Sequence, residues 1–138
     1  MLLPAMDARI SLDADLLAPY RARRWLAGLG MPLATSRADA AELLVAELVT
    51  ASVKRAMADG LHAINVSLRA EDGVVRVDVS DPLGDIRPEV PARPDDVTGF
   101  GFYLVDKLAD RWGSTEGDAP GLWFEFDVYT LPDAAGGS

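Results

Sequence analysis

The chain has 138 residues, of which 49% are hydrophobic, and it carries a formal net charge of −9 with no cysteine. This length supports one domain with its own core, and the lack of cysteine excludes thiol catalysis, disulfides and zinc-thiolate sites. The acidic balance argues against nucleic-acid binding, because phosphate contacts require clustered lysine and arginine.

The N-terminal part of the sequence predicts a short strand and two helices. Residues 8–12 predict a leading strand. From about Ala18, apolar residues recur at the spacing of a helical stripe, and Gly30 ends this first helix. Ser36 resembles the first residue of a capping box and opens a long second helix that continues to about Ala58.

A β-hairpin follows the long helix. Apolar and polar residues alternate over residues 64–69 and again over residues 75–80, which predicts two half-buried strands. Asp72 and Gly73 lie between these segments and supply a two-residue turn. The two strands are therefore expected to be antiparallel neighbours.

The C-terminal part predicts a long loop, a helix and one or two strands. Four prolines within residues 82–98 argue against regular structure, and apolar spacing predicts a helix over residues 101–111. Residues 122–128 alternate as a final strand, where Trp123 is expected to pack in the core or on the sheet face.

The predicted order of elements favours a two-layer α/β sandwich of the α+β type. Helices would cover one face of a mostly antiparallel, mixed sheet, and the alternating strands indicate that the other face is more polar. We expect a single domain over residues 1–131 and a disordered tail over residues 132–138.

Five segments carry sequence motifs in a defined order. They are ELLVAELVTA at 42–51, VDVSD at 77–81, GFG at 99–101, LVDKLADRWG at 104–113 and LWFEF at 122–126. Each motif alone is a weak signal, whereas their order and spacing are more specific. Together they resemble the GHKL ATPases, and in particular the small bacterial anti-sigma-factor serine kinases, which implies a Bergerat-type ATP-binding fold.

The resemblance implies a role for each motif. Glu47 would be the general base that accepts a proton from a substrate hydroxyl, and Ala51 occupies the position of the family's magnesium-binding asparagine. Asp81 would accept a hydrogen bond from the exocyclic amine of adenine. Gly99 and Gly101 would let backbone amides approach phosphate oxygens at the start of a helix.

Several residues depart from the family pattern on the phosphate and metal side. A methyl group at Ala51 cannot coordinate magnesium, and Phe100 replaces an arginine that is common between the two glycines. Arg55 replaces a frequent histidine, and Pro120 with Gly121 replaces a polar pair. We therefore expect ATP or ADP to bind weakly if at all, magnesium not to bind, and phosphoryl transfer to be silent.

These departures favour a regulatory protein that binds other proteins. The resemblance implies a sigma factor or an anti-sigma-factor antagonist as partner, and a homodimer formed through the first helix and a sheet edge. One alternative is an active serine kinase in which Thr50, Ser52 or Asp85 supplies the missing metal ligand. Another is a sensor that binds adenine nucleotides without turnover.

Three further features of the sequence concern a basic cluster, metal binding and membrane insertion. Residues 21–24 carry three arginines on the first helix, which form either a solvated face or a contact for an acidic partner. His62 is the single histidine, so a metal site is not expected. No stretch approaches the roughly 20 apolar residues of a bilayer span, and we expect a cytoplasmic protein.

Overall fold

The computed structural model describes residues 5–59, 63–80, 99–115 and 121–128. These residues form three helices and five strands. In chain order the elements are β1 (Met6–Asp13), α1 (Ala18–Gly28), α2 (Thr35–Asp59), β2 (Ala63–Glu71), β3 (Val74–Ser80), α3 (Gly99–Leu108), β4 (Arg111–Thr115) and β5 (Gly121–Asp127).

The five strands form one sheet in the order β1-β2-β3-β5-β4. Each pairing within the described residues is antiparallel. Alternate strand residues are buried, and they form one cluster with the buried residues of the helices. This arrangement confirms the two-layer architecture, with helices against one face of the sheet and a more polar second face.

The core is built from aliphatic side chains of α2 and of the central strands, together with two aromatic rings from β5. Phe124 and Phe126 are almost fully buried and meet edge to face, with ring centroids 5.9 Å apart. This geometry is favourable because the positive edge of one ring contacts the negative face of the other. The C-terminal strand therefore anchors the sheet against the helical layer.

Two turns confirm sequence predictions based on glycine. Asp72 and Gly73 both have positive φ, at 54° and 79°, which is the conformation of a type I′ hairpin between β2 and β3. Gly30 has φ 70° and lies two residues beyond the end of α1, where a left-handed residue closes the helix. In both places the backbone requires a residue that tolerates positive φ.

Two predicted helix boundaries were wrong. The long helix begins at Thr35, and the carbonyl of Ala34 accepts hydrogen bonds from the amides of Arg37 and Ala38, so Ser36 lies inside the first turn and does not cap it. The helix predicted over residues 101–111 covers Gly99–Leu108. It ends early because the chain rejoins the sheet, where the Asp110 amide bonds the Glu125 carbonyl.

Candidate functional site

Glu47 and Ala51 lie one turn apart on the same flank of α2, as their spacing predicts. Both side chains are half-buried. The helical positions that share this flank are 40, 44, 47 and 51, which are occupied by Ala40, Leu44, Glu47 and Ala51. Among these four positions Glu47 alone carries a side-chain oxygen, while Ser36 faces the same direction three turns earlier.

The opposite flank of α2 packs against α1. Arg23 of α1 approaches Glu42 of α2, with Nε and Oε1 3.6 Å apart. Glu47 is five residues beyond Glu42, which is a rotation of about 140° around the helix. The two glutamates therefore serve different surfaces, and Glu47 lies on the side turned away from α1.

Two of the three possible replacement ligands, Thr50 and Ser52, are described, and neither takes the place of the missing group at position 51. The hydroxyl of Thr50 donates a 2.7 Å hydrogen bond to the Ala46 carbonyl of its own helix. Ser52 follows Ala51 by about 100° around the helix, in the direction of the buried Val45 and Val49. Neither hydroxyl occupies the direction in which an asparagine at position 51 would project.

The remaining members of the predicted nucleotide site are described in part. Gly99, Phe100 and Gly101 form the first turn of α3, so the glycine motif does open a helix. Asp81 and Asp85 lie outside the described residues, as do His62 and Pro120. The predicted contacts of Asp81 with adenine and of the α3 amides with phosphate therefore stay predictions.

Gly121 has a packing role that the sequence did not indicate. It is buried at the start of β5, opposite Ser80 of β3. A Cβ atom at this position would lie 2.1 Å from the Val79 carbonyl oxygen and 2.9 Å from the Ser80 Cα. The absence of a polar residue at 121 thus follows from close strand pairing, without reference to a nucleotide.

The described residues supply part of the donor set that magnesium-nucleotide binding would use. Magnesium prefers octahedral oxygen coordination and is usually held by carboxylates together with substrate phosphates. On the described α2 flank a methyl group stands beside one carboxylate, and no group of three or more histidine, cysteine, aspartate or glutamate side chains surrounds a possible metal within the described residues. The Ala51 methyl offers no ligand on this flank, and the expectation that magnesium does not bind stays a prediction.

A surface at the start of α1 combines exposed apolar side chains with arginines. Leu16, Leu17 and Tyr20 are 81%, 54% and 57% exposed. Arg24 donates a 3.0 Å hydrogen bond to the Tyr20 hydroxyl, which raises the pKa of Arg24 and holds its guanidinium 5.7 Å from the ring centroid. Arg21 pairs with Asp15, with 3.2 Å between Nη1 and Oδ2. We call these residues the α1 surface.

The face of the sheet opposite the helices carries an ion network across β3, β5 and β4. Arg76 pairs with Asp78 at 3.0 Å and reaches Glu125 at 3.7 Å, and Glu125 also accepts a 2.7 Å bond from Arg111. The Asp78 carboxylate raises the pKa of Arg76. The Arg76 guanidinium lies 4.5 Å from the ring centroid of Trp123, which confirms that this tryptophan packs on the sheet face.

Comparisons with known proteins support the fold. No protein-family model matches the chain, and no curated protein matches it. A crystal structure of the RsbU and RsbW domains of Rv1364c from Mycobacterium tuberculosis is similar, with a TM-score of 0.65 and 21% identity over 90% of this chain. The chain spans 32% of the length of that solved chain. At this identity the likeness shows the fold alone, which is the two-layer α+β architecture described above.

None of the described helices combines the length and the apolarity that crossing a bilayer would require. The cytoplasmic location inferred from the sequence stays a prediction.

Proposed function

We propose that this protein is a regulator of the anti-sigma-factor type, which acts by binding partner proteins and in which ATP binding is weakened or lost. The observation that carries the proposal is the α1 surface. Three large apolar side chains, Leu16, Leu17 and Tyr20, are exposed together at the start of a helix. Contiguous exposed apolar residues bordered by polar groups are typical of protein interaction sites.

The chemistry of the α1 surface favours an acidic, amphipathic partner segment. Arg21, Arg23 and Arg24 border the apolar residues, although the whole chain carries a net charge of −9. Their present partners are surface groups, and surface ion pairs exchange at small cost. A helix with apolar residues on one side and carboxylates beside them would bury Leu17 and Tyr20 and engage the arginines.

Sigma factors and anti-sigma-factor antagonists are the partner classes that we propose, and a homodimer in the cytoplasm is part of the proposal.

The first experiment measures binding of purified sigma factors and antagonist proteins by calorimetry. Replacement of Leu17 by aspartate is expected to weaken the complex at least tenfold, because it places a charge within the apolar contact. Leu43→Asp is the control, since Leu43 is 37% exposed on the outward side of α2. Equal affinity of the wild-type protein and Leu17→Asp would contradict the proposed surface.

The second experiment measures ATP and ADP binding with and without magnesium. We expect little or no heat under either condition. Tight, magnesium-dependent binding would instead favour the kinase, and magnesium-independent binding would favour the nucleotide sensor. The double variant Ala51→Asn with Phe100→Arg restores an oxygen ligand and a phosphate-binding cation, so it should raise the affinity for magnesium-ATP. An unchanged affinity would count against descent from a nucleotide site.

A further inference from the structure

The outer face of the sheet, opposite the helices, forms an open cleft of about 700 Å³ across β1, β2 and β3. The strand register arranges its outward side chains in three transverse rows. The rows are Asp7, Arg69 and Arg76, then Arg9, Ser67 and Asp78, then Ser11, Asn65 and Ser80. These outward side chains are polar, Ile10 and Val66 complete the lining, and the cleft lies on the face of the sheet opposite the helices.

The cleft is cationic within an acidic protein. Its charged residues are three arginines and two aspartates, which leaves one excess positive charge. Arg69 lies directly opposite Arg76 in the β2–β3 register, and like charges at such positions destabilise a sheet. Arg76 is engaged on its other side by Asp78, Glu125 and the Trp123 ring. Asp7 of β1 lies directly opposite Arg69 on its other side, but no ion pair joins the two side chains.

Arg9 and Arg69 are distinguished by their lack of partners. Both are exposed, and they lie on diagonal positions of paired strands, where long side chains reach each other. Of the arginine side chains that the structure describes, these two form no ion pair or hydrogen bond with a described residue. The hydroxyl of Ser67 stands opposite Arg9 and two residues before Arg69. The two guanidiniums, the Ser67 hydroxyl and the Asp7 carboxylate therefore occupy four neighbouring positions of the sheet face.

We propose that this cleft is a docking site for an acidic, extended segment of a partner polypeptide, with a carboxylate bound between Arg9 and Arg69. Guanidinium groups bind carboxylates through paired, charge-assisted hydrogen bonds. The bound carboxylate would also relieve the repulsion among the three arginines. Asn65, Ser11 and Ser80 continue the cleft with hydrogen-bonding groups suited to a polar chain.

Charge and size together identify this occupant. A cleft of about 700 Å³ falls in the range of sites that hold ligands larger than a single ion. Its lining has few apolar side chains, which disfavours an apolar ligand. The excess positive charge of the cleft favours an acidic segment over a basic one.

The test uses a fluorescein-labelled eight-residue peptide of alternating glutamate and serine, whose binding is followed by anisotropy at low ionic strength. We expect Arg9→Gln and Arg69→Gln each to weaken binding at least tenfold, because each removes one charge-assisted contact. Both side chains are exposed, so the variants should fold, and circular dichroism checks this. Arg24→Gln, on the α1 surface, is the matched control and should bind the peptide as the wild type does.

Backbone amide shifts from nuclear magnetic resonance locate the peptide. Shifts confined to β1 and β2 support the proposal, whereas shifts at α1, or equal affinity of wild type and Arg69→Gln, overturn it. Competition by inorganic phosphate at concentrations equal to those of the peptide would also overturn it, since a single anion would then suffice. Self-association that Arg9→Gln abolishes, without peptide binding, would assign the cleft to a second copy. If Leu17→Asp no longer binds a sigma factor but still binds the peptide, the cleft and the α1 surface are separate sites.

Discussion

The close approach of β5 to β3 at Gly121 permits a stability prediction worked from distances. In Gly121→Ala the new methyl would lie 2.1 Å from the Val79 carbonyl oxygen and 2.9 Å from the Ser80 Cα. These are backbone atoms of β3, which is paired on both sides and cannot yield to one neighbour without disturbing the other. Overpacking of a core by one or two methylenes costs about 1–3 kcal/mol, and we expect Gly121→Ala to lie near 3 kcal/mol.

Urea unfolding at neutral pH measures this effect, and a thermal scan should show a fall in midpoint of roughly 10 °C. Gly28→Ala is the control, because no atom lies within 4 Å of a Cβ atom at Gly28 and alanine is the better helix former. That variant should be unchanged or more stable by up to about 1 kcal/mol. A loss below about 1 kcal/mol in Gly121→Ala, with the same urea dependence, would show that β5 can shift and would refute the packing role.

Two further predictions concern charged groups near the edge of the sheet. Arg37→Met removes an ion pair with Asp110 and a guanidinium 5.0 Å from the Phe126 ring centroid, and urea unfolding should show a loss of about 2 kcal/mol. Arg111 lowers the pKa of Asp127 below its ordinary value of 3.8, so this stabilisation is present above pH 4 and lost as the pH falls through the lowered pKa. The free energy of unfolding of Asp127→Asn should therefore fall less between pH 7 and pH 2 than that of the wild type, and an equal fall would contradict the assignment.

Local patterns predicted the elements better than they predicted where some of them end. The hairpin at Asp72 and Gly73 was predictable because its turn requires two residues that tolerate positive φ. The end of α3 was not, because the periodic apolar spacing continues beyond Leu108 while the backbone turns to join the sheet. Strand β4 has five residues and its middle residue is Gly113, so it shows no clear alternation of apolar and polar side chains. A Cβ atom there would lie 2.8 Å from the Trp123 ring, so a partner strand explains that glycine.

The two candidate sites also differ in how far the sequence alone predicted them. The shared flank of Glu47 and Ala51 follows from helical spacing alone, and the sequence predicted it. The cationic cleft depends on which strands are neighbours and in which register, since Arg9 and Arg69 are sixty positions apart in the chain. Alternation predicted that Arg69 points away from the core, but pairing information was needed to bring Arg9 beside it.

The sheet order also constrains how the chain assembles. Strands β2 and β3 meet across a two-residue turn, whereas β1 reaches β2 only after the chain closes over residues 14–62, which include both of the first two helices. Long closures are entropically costly and slow, so the hairpin is the natural nucleus and the N-terminal strand docks late. Until it docks, the hydrogen-bonding edge of β2 is open to other chains, which offers a route to aggregation.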